Sequence, residues 1–174
     1  MSATPEITVL DADAAMAAVS ELAEVLADCV AGGASVSFMQ PYSAADAAGF
    51  FRKVAASVAC GETVLLAARR DGRVVGTVQL GLDTPPNQPH RADIRKLLVH
   101  RSARGRGVGA ALMREAERIA KDKGRTLLVL DTASGAAERL YGRGGWQRVG
   151  VIPDYAMWPD GGFCDTTIFW KKLS

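Results

Sequence analysis

Lys96-Leu97-Leu98-Val99-His100-Arg101-Ser102-Ala103-Arg104-Gly105-Arg106-Gly107-Val108-Gly109 is the stretch on which the reading of this chain turns. An apolar run passes through a short polar loop into three closely spaced glycines. Beyond them Val108, Ala111, Leu112, Ile119 and Ala120 recur at helical spacing as far as Lys123, with Gly124 past the end. The segment therefore reads as strand, turn and helix entrance. Gly105, Gly107 and Gly109 carry no Cβ to hold a ligand away from the backbone. A helix entrance presents unpaired N–H groups and about half a positive charge. Together these features cradle a phosphate, and Arg104 and Arg106 add charge-assisted contacts. The plain alternative is a glycine-rich turn with solvated arginines.

Working outward, Ile7 to Leu10 reads as a short strand. Asp11 or Asp13 caps a helix running to about Val30, with Met16, Val19, Leu22, Ala23 and Leu26 on its core face. Gly32-Gly33 ends it, and Ala34 to Tyr42 is a loop or bent element. Ser43 caps a second helix with Phe50, Phe51, Val54 and Val58 on one side, stopped by Gly61. The period then changes. Thr63–Arg69 and Arg73–Leu82 flank Asp71-Gly72, a strong hairpin signal. Thr84 to Pro89 is a proline-rich loop, and Ala92 to His100 is the strand before the glycine turn. Thr126 to Leu130 is a continuous apolar run, expected to be buried on both faces. Ser134 caps a short helix through Tyr141, ended by Gly144-Gly145. Trp146–Val151 and Phe163–Lys171 are the last strands, with Asp154-Tyr155 in a loop after Pro153. This order gives an α/β (α+β) chain: one mixed sheet with helices on its faces.

The 174 residues, 48% apolar and 23% charged, fit a single domain spanning residues 1–174 with a core of its own. No run is long enough for a membrane helix, and MSATPEITVL lacks the pattern of a secretory signal. Cys29, Cys60 and Cys164 form no metal spacing and point to a reducing cytoplasmic setting. His90 and His100 have no third ligand at usable spacing, so no metal site is expected. A serine triad lacks its elbow, because no G-x-S-x-G occurs. A net charge of +2 gives no reason to expect nucleic acid. Residues 91–106 nevertheless hold Arg91, Arg95, Lys96, Arg101, Arg104 and Arg106 against Asp93 alone, a local +5. Such a patch suits a local anionic ligand.

Three phosphate motifs compete for the turn. A P-loop requires Lys-Ser/Thr after its last glycine, and here Ala110-Ala111 follows. A dinucleotide fingerprint fits loosely through Gly105, Gly107, Ala110 and Asp131. Against it, His100 to Arg104 separate the strand from the first glycine, and no second mononucleotide half exists. Third, the strand, the loop and Arg104-Gly105-Arg106-Gly107-Val108-Gly109 resemble the R/Q-x-x-G-x-G/A acyl-CoA signature of the GNAT superfamily of N-acyltransferases. AAERLYGRGGW, residues 136–146, resembles that family's tyrosine helix, and the two motifs stand in the family's order. A narrower resemblance, to tabtoxin-resistance-type acetyltransferases, rests on GGASVSFM (32–39), the run from Ala92 to Gly109, LDT (130–132) and PDG (159–161).

The resemblance implies a mixed, mostly antiparallel sheet of six to seven strands with a splay between the two central ones. It implies acetyl-CoA as co-substrate. It implies pantetheine against the backbone of Leu97, Leu98 and Val99, and diphosphate on the amides from Arg104 to Gly109. Ser134 occupies a position where the family often places a cofactor contact, although a plain helix cap accounts for it equally. Tyr141 matches the acid that protonates the leaving thiolate, against a core-tyrosine alternative. The Val99 amide is the candidate oxyanion donor. For the base, the residues offer Asp93 and Asp131; Asp93 has Arg91 and Arg95 as alternative partners, and Asp131 the turn at Thr132. Phe38, Tyr42, Phe50 and Phe51 read as core, with Phe38 and Met39 as alternative pocket walls. The resulting expectation is acetyl transfer to a primary amine of a small molecule, amino-acid-like or a β-lactam toxin, by a monomer or homodimer. A non-catalytic CoA-binding module and a dinucleotide-dependent oxidoreductase are the competing classes.

Overall fold

Asp71 and Gly72 both adopt positive φ, 48° and 77°. This is the primed turn geometry whose twist matches paired strands. It joins β2 (Thr63–Arg70) to β3 (Arg73–Gly81), the hairpin expected from Asp-Gly. Around it the structure, a computed structural model describing residues 4–174, builds one seven-stranded sheet. The other strands are β1 (Glu6–Leu10), β4 (Arg91–Val99), β5 (Leu127–Thr132), β6 (Gln147–Met157) and β7 (Phe163–Lys172). Their order is β1-β2-β3-β4-β5-β7-β6, and only β4 and β5 run parallel. The mixed, mostly antiparallel sheet is the architecture expected for a GNAT fold.

Helices α1 (Ala12–Ala17), α2 (Val19–Ala31) and α3 (Ala44–Ala59) cover one face. Ser43 and Asp46 form a reciprocal capping box at the start of α3. The other face carries α4 (Val108–Asp122) and α5 (Gly135–Arg143). A Cβ on Gly76 of β3 would lie 2.9 Å from Val108 Cγ1, so this glycine lets α4 sit close on the sheet. Leu112 is fully buried there, worth about 1.5–3 kcal/mol of transfer energy.

Four expectations need correction. The first helix is two helices, broken at Ala18. The break re-phases its beginning, so Ala15 packs inward and Met16, expected on the core face, is 50% exposed. Second, β5 is not buried on both faces: Leu128 and Leu130 are buried, whereas Leu127 and Val129 are half-exposed. Helices α1–α3 cover β1–β4 and stop short of β5, leaving that face open. Third, β6 extends to Met157, so Asp154 and Tyr155 lie in a strand. It absorbs Pro153 through an irregularity between Ile152 and Ala156, as edge strands can. Finally, Trp146 lies before that strand, buried against Tyr141.

Candidate active site

The gap in the sheet begins where β4 stops pairing with β5. The two are in register only at Arg91↔Leu127, Ala92↔Leu128 and Asp93↔Val129. Beyond Asp93 they separate, which is the splay that the resemblance implies. A bulge accompanies it: Lys96 adopts φ 51°, and the β3 register steps from Gln79↔Arg95 to Thr77↔Leu98. The extra residue shifts the alternation. Ala92 and Ile94 face the α4 side; after the bulge Leu97 and Val99 do, while Leu98 joins the core under α1–α3. His100 N–H donates to Val75 O at 2.9 Å. Antiparallel alternation then directs Leu98's backbone groups to Thr77 and turns those of Val99 into the gap. The Val99 carbonyl is taken there by Arg104 Nε at 3.0 Å.

The turn after β4 behaves as an anion cradle. Gly105 and Gly107 hold φ 70° and 77°, and a Cβ at either would meet nothing within 4 Å. Their role is therefore conformational, and the space beside them is open. Among the described residues, no acceptor takes the amides of residues 105–110; the first bond into the helix is Ala111 N–H to Gly107 O. Buried Val108 anchors this end of α4. Gly109 differs: its position faces Leu140 of α5 at 3.3 Å. The two arginines also part company. Arg106 is exposed beside the amides. Arg104 folds back onto Val99 and stands 3.9 Å from Asp28, bracing the turn from inside.

Asp28, which sequence reading did not single out, secures the approach to this turn. Its carboxylate accepts from the Arg101 amide at 2.9 Å and from the Arg101 guanidinium, with His100 Nε2 3.6 Å away. Burial pushes its pKa up, but the Arg101 hydrogen bonds and the His100 and Arg101 charges outweigh this and leave it lowered. A depressed folded-state pKa stabilises above the unfolded value, roughly 3.9, and that contribution is lost as pH falls through the lower folded value. Asp28→Asn should therefore cost about 1–3 kcal/mol at neutral pH. The gap from wild type should close progressively below about pH 4 in urea melts. A gap that stays constant with pH would contradict this assignment.

Tyr141, on α5, is 5% exposed, with its ring tilted against Trp146 and Phe169 at 5.9 and 5.6 Å. Trp146 is fixed by a 2.9 Å bond from Nε1 to Glu117 of α4. Among the described residues the Tyr141 hydroxyl has no hydrogen-bond partner, and it is not one of the polar atoms shut off from solvent. Burial, and secondarily the Asp131 charge, raise its pKa well above the ordinary phenol value. Asp131 thus stands near enough to act on the phenol. The Asp131 side chain is held by Thr166 Oγ1 at 2.9 Å and is exposed on the open face of β5.

Asp93 has a different setting. It lies on the last pair before the splay, where Arg91 binds one oxygen and Arg95 the other at 3.3 Å. Arg95 lies flat on Gly81, where a Cβ would come within 2.5 Å of Cζ, and also pairs with Asp83 at 2.9 Å. The ion-pair alternative for Asp93 is the arrangement present. Ser134 caps α5, accepting from Ala137 N–H at 3.3 Å, which is its plain structural role.

The open face is bordered by the loop after α2 and by the β6–β7 turn. Ser35 Oγ donates to Met157 O at 3.2 Å, and Gln40 N–H to Pro159 O at 2.9 Å. Phe38 stacks on Tyr42 at 4.6 Å and meets Phe50 edge-on, while its ring also faces Lys96. Phe51 is fully buried, as a core residue, and Met39 is 44% exposed.

Solved structures share this whole architecture. An N-acetyltransferase from Staphylococcus aureus Mu50 superposes with a TM-score of 0.81 at 17% identity, covering 99% of this chain and 100% of that one. A ribosomal-protein-alanine N-acetyltransferase from Brucella melitensis gives 0.79 at 21%, covering 97% and 99%. A phosphinothricin acetyltransferase from Sinorhizobium meliloti, solved in complex with AcCoA, gives 0.78 at 19%, covering 99% and 90%. Identities this low speak for the fold alone. Residues 29–146, which run from the end of α2 through the splay and the glycine turn to Trp146, match the family model described as the acetyltransferase (GNAT) family. With about two-thirds of its length matched, the chain belongs to the GNAT acetyltransferase family.

Proposed function

We propose that this GNAT enzyme transfers acetyl from acetyl-CoA to a primary amine of a small molecule by direct attack on the thioester. One observation carries the reading: β4 and β5 stop pairing beyond Asp93, and the amides of the turn that follows β4 have no acceptor among the described residues. The free amides and the open space beside Gly105 and Gly107 fit a diphosphate. Acetyl-CoA, the family's co-substrate, supplies the activated acyl group. The solved relative holding AcCoA supports that fit.

In the proposed reaction Asp131 takes the proton of the acceptor ammonium, directly or through water, because only the neutral amine attacks. The Val99 N–H meets the developing oxyanion. As the tetrahedral adduct collapses, Tyr141 protonates the departing thiolate, the nitrogen sheds its second proton to solvent, and Tyr141 is reprotonated from that solvent. Its raised pKa keeps it in the protonated, donating form. Asp93, tied to two arginines, supports the base of the splay.

The acceptor is proposed as small and amino-acid-like, with toxin inactivation as one setting. The relatives act on acceptors as unlike as a ribosomal protein and phosphinothricin, so the fold leaves that choice to the mouth of the site. A cytoplasmic enzyme, monomeric or dimeric, is the accompanying proposal; no helix among the described residues is long and apolar enough to cross a membrane.

An amine panel with acetyl-CoA, read by free thiol release, tests the reading. Absence of turnover with every amine, beside tight CoA binding, would favour a binding module. In the pH profile of kcat/KM, Asp131→Asn should flatten the alkaline-rising limb. Asp93→Asn should leave that limb in place and cost about 1–3 kcal/mol of stability. The reverse pattern would exchange the two roles.

A further inference from the structure

Lys96 is the residue of the bulge, and the mechanism above makes no use of it. Its positive φ of 51° is uncommon for a residue with a Cβ. The bulge directs its half-buried side chain toward the loop after α2. There Nζ donates to Ser37 Oγ at 2.8 Å and lies 5.9 Å from the centre of the Phe38 ring. Ser37 also has positive φ, 84°, so both ends of this contact are held in unusual backbone conformations. An ammonium has three donors. One is used on Ser37, and among the described residues Lys96 forms no ion pair. Neighbouring Arg95, by contrast, pairs with two carboxylates. Burial lowers the Lys96 pKa, and the Asp131 charge partly offsets that effect, so the two groups sense each other without touching.

A half-buried cation without a direct counter-ion is costly unless a ligand supplies one. Past the last β4–β5 pair, Asp93↔Val129, Lys96 lies on one rim of the gap and an exposed carboxylate, Asp131, lies on the other, two residues beyond Val129. A cation and an anion so arranged match the two ends of a zwitterion. We propose that Lys96 is a specificity-determining residue that binds the carboxylate of the acceptor while Asp131 faces its amine, so that free α-amino acids are selected over neutral-ended amines. This inference rests on the acetyl-transfer reading, and deepens it by naming the group that reads the substrate's charge. The Phe38 ring flanks the ammonium, 5.9 Å from Nζ to its centre.

The test compares free L-amino acids with their C-terminal amides as acceptors for wild type, Lys96→Met and Lys96→Arg. Wild type should favour the acids. Lys96→Met, which keeps the apolar stem, should raise KM for the acids at least about tenfold with kcat held within a few-fold, and leave KM for the amides unchanged. Lys96→Arg should restore most of the preference. Equal losses on acids and amides, or a wild type indifferent to the carboxylate, would overturn the proposal. A second arm needs no turnover: titration of the CoA-loaded protein with N-acetylglycine and with N-acetylglycinamide. Binding of the acid that depends on Lys96, in a protein that acetylates no amine, would keep the anion site and sink the catalytic reading. No preference for N-acetylglycine in an enzyme that does turn over would do the opposite.

Discussion

Replacing Tyr141 by phenylalanine is expected to lower kcat by roughly 10²–10⁴ while leaving the dissociation constant for CoA nearly unchanged. The range corresponds to about 3–5 kcal/mol of transition-state stabilisation. Phenylalanine preserves the ring contacts with Trp146 and Phe169, and the lost hydroxyl has no protein hydrogen bond among the described residues. The thermal midpoint should therefore stay close to that of wild type, which separates a chemical defect from a packing defect. The electrostatics add a second signature. Burial and Asp131 both raise the phenol pKa, so Tyr141 should remain a proton donor across the working range, with no descending alkaline limb of its own. Asp131→Asn removes the carboxylate contribution and should move the phenol pKa down. Wild-type turnover in Tyr141→Phe, or a large fall in its thermal midpoint, would return Tyr141 to the role of a core tyrosine.

What could be read in the sequence was local. Asp71-Gly72, the Ser43 cap and the glycine turn each write their geometry within a few residues. The order of those elements was then enough for the sheet. The features that equip the site depend on distant partners. Asp28 meets Arg101 across 73 positions, and Lys96 meets Ser37 across 59. Thr166 reaches Asp131 across 35. No periodicity encodes such pairs. The bulge at Lys96 was hidden for a related reason: KLLV reads as an unbroken strand, and only pairing with β3 reveals the extra residue. Asp93 and Asp131 were equal candidates as letters, two acids on adjacent strands. They became unequal because one lies below the splay between two guanidinium groups and the other above it, on the face that the helices leave open.

The glycine turn gives the other large effect, and there the three glycines of one motif should separate. Gly107 at φ 77° occupies the left-handed region, where a Cβ costs about 1–2 kcal/mol. The strain in Gly107→Ala is relieved by turning the peptide, and that redirects the amides which have no other acceptor among the described residues. Losing one charge-assisted hydrogen bond, worth about 1.5–3 kcal/mol, should weaken CoA binding by about tenfold to 150-fold. Gly105→Ala, at φ 70°, belongs to the same class. Gly109→Ala does not: its backbone is helical, and the new Cβ is tight only against the tip of Leu140 at 3.3 Å, with Val99 and Leu97 at ordinary contact distance. A side-chain adjustment accommodates that contact, and affinity should change no more than about threefold, under 1 kcal/mol. Calorimetry with CoA and with S-acetylpantetheine, which lacks the diphosphate, isolates the cause. The Gly107→Ala defect should be present with the first ligand and absent with the second. An equal loss on both would mean that the substitution deforms the splay itself, and that the turn acts through β4 and not through its amides.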